Sequence, residues 1–128
     1  MTYSEKLNAT KAGYPFNSWR EYFHPNEEED IEGMEQYTPE NCDQAQGILD
    51  DLIAQLIEIG EHSSNQSKEE LFENAVMALN ELNDETNIIE TGEREQLCEL
   101  FDDISESAGL NPKDYADGEG IASEWRDW

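Results

Sequence analysis

Carboxylates are the side chains best placed to do chemistry in this sequence. Thirty-two Asp and Glu stand against seven Lys and Arg, a net charge of −25 over 128 residues. Grouped carboxylates can move protons, hold cations or attract a basic protein surface. Three groups stand out. Glu27, Glu28, Glu29 and Asp30 form a run. Asp43, Asp50, Asp51 and Glu58 share a segment with a strong apolar period but avoid its stripe. Glu95, Glu99, Asp102 and Glu106 recur at steps of four, three and four, one helical turn apart. Like charges at that spacing cost a few tenths of a kcal/mol per pair. Solvated surfaces normally mix both signs, yet no Lys or Arg occurs between Glu21 and Ser67. A penalty repeated over several rows points to charge that is used.

Other chemistry finds little support. Nucleophilic catalysis needs an activated Ser or Cys beside a base. No GxSxG occurs, and His24 and His62 fall in predicted loops without a motif around them. Carboxylate pairs are too numerous for an acid–base dyad to stand out. Counted from Asp114, a calcium loop fails at its ligands: the third place is Ala116, the fifth Gly118 and the twelfth Trp125, where a bidentate Glu is required. Weak cation binding by the tail Asp114–Glu124 is the residual option. Cys42 and Cys98 have no nearby His for a zinc site. They read as buried free thiols in a reducing compartment. The expectation is a protein without catalysis, cofactor or resident metal.

The charge also restricts partners. Nucleic acid and anionic membranes are bound through Lys and Arg, so direct binding to either is disfavoured. No stretch approaches the roughly 20 apolar residues of a membrane span. The start, MTYSEKLNATKAGY, has no apolar run of signal-peptide length. The expected location is the cytoplasm, and the expected partner is a basic protein. The acidity is uneven. Residues 1–26 carry two acids and three bases, residues 27–61 twelve acids and no base, and residues 62–128 eighteen acids and four bases.

The elements that would position these groups are helices. Thr38-Pro39 is a cap followed by proline at the first helical position. Cys42, Ala45, Leu49, Leu52, Leu56 and Ile59 then recur at helical steps, widened by Ile48, Ile53 and Ile57. A stripe of that width belongs to a helix buried in a bundle. A helix over about 39–60 follows. Ser67-Lys68-Glu69-Glu70 reads as a capping box opening a second helix over about 68–83. Thr91 reads as the cap of a third, about 92–108, stopped by Gly109 with Leu110 behind it. Tyr3–Ala12 and Ser18–Phe23 read as short helices, the latter capped by Asn17. Phe16, Trp19, Tyr22 and Phe23 read as an aromatic lid over the core, with an exposed partner-binding patch as the alternative. Asn26–Tyr37 reads as an acidic loop.

These readings combine into an all-α fold. It is a single-domain small helical bundle of three main helices (about 39–60, 68–83 and 92–108) with short N- and C-terminal helical segments. Residues 1–37 form an N-terminal aromatic segment and acidic loop, 38–110 the helical core, and 111–128 a tail docked by Trp125. By size, charge and helix pattern the chain resembles the small acidic immunity proteins of bacterial toxin–immunity systems. The stretch from Ile89-Glu90-Thr91-Gly92-Glu93-Arg94-Glu95 to Trp125 shares that character. The resemblance implies a cytoplasmic inhibitor that covers a cationic nuclease toxin. DNA-mimic inhibitors of DNA-binding proteins are similar by the same criteria. A cation-binding or enzymatic domain is the third option.

Overall fold

The computed structural model describes residues 1–23 and 37–128, with side chains of the second helix described as far as Glu21. Five α-helices make the frame: α1 (Tyr3–Ala9), α2 (Phe16–Phe23), α3 (Pro39–Ile59), α4 (Asn65–Thr86) and α5 (Thr91–Ser107). No strand occurs among the described residues. A 3-10 turn (Thr10–Gly13) follows α1, and three more (Pro112–Asp114, Ala116–Gly118, Ile121–Glu124) make up the tail. The fold is all-α, as the apolar periods predict.

α3 is built as its sequence dictates. Thr38 Oγ1 accepts the N–H of Asn41 at 3.2 Å, Pro39 occupies the first turn, and Gly60 follows the last residue. Cys42, Ala45, Leu49, Leu52, Ile53 and Leu56 are buried. Ile59, the last member of the expected stripe, is 39% exposed.

α4 runs three residues further at each end than the apolar period suggests. Ser64 is its cap, and Ser64 Oγ accepts the N–H of Ser67 at 3.1 Å. Ser67, expected as the cap, is already inside the helix. At the far end Asn83–Thr86 contains no helix breaker and needs none of its side chains in the core. The helix continues until Asn87 takes the left-handed conformation (φ 55°), which Asn tolerates better than most residues. The capping box of α5 likewise begins one residue early. The Glu90 N–H donates to Glu93 Oε1 at 3.2 Å, with Glu90 rather than Thr91 as the cap.

α5 ends as its sequence predicts. Gly109 sits at φ 91°. The Gly109 N–H donates to the Glu106 carbonyl at 3.1 Å, and the Leu110 N–H to the Ser105 carbonyl at 2.8 Å. Those two bonds define a Schellman stop, and Leu110 is buried beneath it.

α3 and α4 form an antiparallel pair. α2 packs on α3, α1 touches α3 and α5, and the tail lies over α4 and α5. Phe72 of α4 and Phe101 of α5 meet with ring centroids 6.4 Å apart. Of the expected aromatic lid, Phe16 and Trp19 pack over the core, while the side chains of Tyr22 and Phe23 lie outside the described residues. Phe16 and Trp19 are fully buried, their rings meet edge to face at 5.1 Å, and Trp19 Nε1 donates to Gln96 Oε1 at 2.8 Å. Pro15 and Tyr37 are buried beside them, and the Tyr37 hydroxyl donates to the buried Glu93. The tail is held by Asn80, whose side chain donates to the Trp125 carbonyl at 3.0 Å and accepts the Asp127 N–H at 3.1 Å.

Candidate functional site

Three of the seven basic residues, Lys68, Arg20 and Arg126, are used inside the fold. Lys68 is 3% exposed, and its Nζ donates to the carbonyls of Glu61 and Ala108, each at 2.8 Å. It thereby serves the C-terminal ends of α3 and α5, where carbonyls lack helical partners and carry partial negative charge. Arg20 donates to Asp43 Oδ1 (2.6 Å), Gln46 Oε1 (2.7 Å) and Asn17 Oδ1 (2.9 Å). Arg126 folds back on the Trp128 carbonyl, the Trp128 ring and Ser123. Among the described residues Arg20–Asp43 is the single ion pair within 4 Å. Lys6, Lys11 and Lys113 remain exposed, at the N-terminal end and in the tail, and no Lys or Arg lies on α3.

The twelve carboxylates expected to bind a partner separate into groups. Glu27, Glu28, Glu29 and Asp30 lie outside the described residues. Asp43 is engaged by Arg20. Asp50 accepts the Tyr14 hydroxyl at 2.8 Å; burial, with that carboxylate second, keeps the phenol protonated far above its usual range. Asp51 and Glu58 are exposed on α3, and Glu95, Glu99 and Glu106 on α5.

Asp102 leaves the α5 row. It turns beneath the tail and accepts the Ile121 N–H. Its Oδ1 is buried with no hydrogen-bond partner among the described residues. Burial raises its pKa above the usual carboxylate value. A Cβ on Gly120 would stand 2.5 Å from that Oδ1.

Two acidic surfaces remain. One lies on α5, where Asp103 and Glu106 border a hollow closed on the other side by Lys6 and Thr10. The other is a cleft between α3 and α4, made of two adjoining hollows of about 170 and 370 Å³. Ile48, Leu52, Leu71, Ala75 and Ala78 form its floor. Asp51 rises from α3, and Glu81 and Glu85 from α4. No Lys or Arg lines either hollow. Glu85 escaped the sequence reading because the second helix was expected to stop at residue 83, which left Glu81 without an acidic neighbour one turn on. Their one-turn spacing would have shown them once the helix is carried to Thr86.

The other candidate chemistries meet a different geometry. Cys42 is buried and Cys98 half-buried, both unpaired, and burial raises both thiol pKa values. A thiol held protonated is a poor nucleophile and a poor metal ligand. No group of three or more His, Cys, Asp or Glu side chains suited to a metal ion occurs among the described residues. In the tail, Glu124 accepts the Ala116 N–H, and Tyr115 donates to Glu69 at 2.8 Å. His62 is exposed and His24 lies outside the described residues. No helix among the described residues is long and apolar enough to cross a membrane.

No protein-family model, curated protein or solved structure matches the chain. The reading of its function therefore rests on geometry and charge.

Proposed function

We propose that this protein is a non-enzymatic acidic interaction protein, an immunity-type inhibitor that binds a basic protein such as a nuclease toxin. The observation that carries this reading is the imbalance of free charge, with Lys6, Lys11 and Lys113 the exposed bases among the described residues. Lys68, Arg20 and Arg126 are bound within the fold, while Asp51, Glu58, Glu95, Glu99 and Glu106 stand exposed. A folded surface of that kind keeps its charge for another molecule. It steers a cationic partner to fast association and competes for the Lys and Arg that read phosphates. The aromatic lid is spent on the core, so Phe16 and Trp19 do not serve as a partner anchor. The apolar floor bordering Asp51 favours an immunity-type interface over imitation of DNA, whose outer face is a regular array of phosphates.

The test is affinity capture from the native host, with partners identified by mass spectrometry. Wild-type protein is compared with the fourfold variant Asp51→Lys, Glu58→Lys, Glu95→Lys, Glu99→Lys. The expected result is a basic partner captured by the wild type, released by salt and lost from the variant, with helicity unchanged by circular dichroism. A partner retained by the variant and indifferent to salt overturns the electrostatic reading.

A further inference from the structure

We infer that the cleft between α3 and α4 is the docking groove for a cationic amphipathic helix of the partner. This inference rests on the acidic-interaction reading and adds where the partner sits and what it presents.

Three observations converge on the cleft. Its floor is apolar: Ile48, Leu71 and Ala78 remain partly open to solvent although they lie between two helices. Of the bulky apolar side chains exposed on described helices, the two are Ile59 and Met77. Ile59 continues the cleft-lining row of α3, one turn beyond Gln55 on the same helix face. The rim is acidic on both sides, through Asp51 on α3 and Glu81 and Glu85 on α4, with no base lining it.

The shape and charge select the occupant. A groove between two antiparallel helices accepts a third helix, whose side-chain ridge enters the channel. From Gln44 to Gln55 the cleft runs eleven residues of α3, roughly 16 Å, which is about three turns of a docked helix. An aliphatic stripe would cover the floor, and Lys or Arg flanking the stripe would meet Asp51, Glu81 and Glu85. A second copy of this chain is the wrong partner, because it would bring carboxylate rims together at a net charge of −25 each. The acidic run Glu27–Glu35 of the chain itself carries the same sign.

The probe is a synthetic Leu/Lys peptide of about 18 residues, long enough to hold a helix, with Leu at helical spacing. Its control has the same composition in an order that destroys the stripe. Fluorescence anisotropy measures both against wild type, Ala78→Trp, the rim variant Asp51→Asn/Glu81→Gln/Glu85→Gln, and Glu95→Lys/Glu99→Lys on α5. The amphipathic peptide is expected to bind one to one, about tenfold or more tighter than its control. Ala78→Trp fills the floor and is expected to lose about tenfold. The rim variant keeps every packed side chain and is expected to lose a similar factor, while the α5 variant changes little. Equal binding of the two peptides, reduced by salt and untouched by Ala78→Trp and the rim variant, overturns the groove but leaves the acidic-surface reading in place. Binding of neither peptide at low salt overturns both. A dimer of the protein that Ala78→Trp dissociates gives the groove to a second copy and overturns the inference.

Discussion

Lys68 Nζ donates to the carbonyl oxygen of Ala108 at 2.8 Å, across forty residues of sequence. The same ammonium donates to Glu61 at 2.8 Å and lies 5.5 Å from the centre of the Tyr3 ring. One base from the start of α4 thus ties the ends of α3 and α5 to the N-terminal helix. Lys68→Met keeps the aliphatic stem and removes the donors. Hydrogen bonds to charged groups contribute about 1.5–3 kcal/mol each, and orphaned carbonyls add their own cost. Part of that is returned because no ammonium need be buried. The expected net loss is about 2–4 kcal/mol. Urea denaturation should show a lower midpoint at unchanged slope.

Asp102 gives stability an acidic limb of unusual sign. Burial raises its pKa in the folded protein above the unfolded value. The folded state then holds this proton more tightly, so stability from this group falls as pH rises through its titration. At neutral pH the ionised, half-buried carboxylate opposes folding. Asp102→Asn retains an acceptor for the Ile121 N–H and is expected to raise the melting temperature at pH 7. The advantage should shrink as pH falls toward about 4, the ordinary Asp range. Calorimetry of both proteins from pH 3 to pH 7 decides it. A variant that melts lower than wild type at pH 7 would show that the charge itself holds the tail.

Three glycines should respond in a fixed order to alanine. Gly47 lies within α3 with nothing near its missing Cβ, and Gly47→Ala should stabilise by about 0.5–1 kcal/mol. Gly109 has positive φ but room, its nearest neighbour being Lys68 Nζ at 3.7 Å. Gly109→Ala should cost about 1 kcal/mol for the left-handed backbone. Gly120 combines φ 110° with Asp102 Oδ1 at 2.5 Å from the Cβ position, so Gly120→Ala should cost most and loosen the tail. Denaturation midpoints rank the three, and Trp125 fluorescence reports the tail.

Salt should stabilise this protein while weakening its binding. With one ion pair within 4 Å among the described residues and a net charge of −25, screening removes more repulsion than attraction. The melting temperature is expected to climb several degrees between about 10 mM and 0.5 M NaCl, where the Debye length shrinks from about 30 Å to a few ångströms. Equal effects of NaCl and KCl would mark the cause as screening. A flat or falling curve would mean that unseen pairs balance the acids.

Local patterning carried much of the fold. Thr38-Pro39, the stripe from Cys42 to Leu56 and the Gly109-Leu110 stop are short-range signals, and each appears where the sequence places it. Helix ends were less legible. Ser64 and Ser67 are equally good caps three residues apart, and Asn83–Thr86 is polar enough to read as loop or exposed helix. A helix can extend through residues that contribute nothing to the core, so an apolar period marks only its buried length.

For the candidate site, the sequence by itself determined the excess of carboxylates, the absence of bases between Glu21 and Ser67, and the segregation of acids from the apolar stripes. Tertiary structure alone decided which carboxylates are free. Asp43, Asp50 and Asp102 share helix faces with exposed acids, yet Arg20, Tyr14 and the tail engage them. It also decided that Asp51 on α3 faces Glu81 and Glu85 on α4 across one apolar floor. Helical spacing assigns a residue to a face of its own helix. What that face meets depends on contacts between residues about twenty to eighty positions apart, and only the packed chain supplies them.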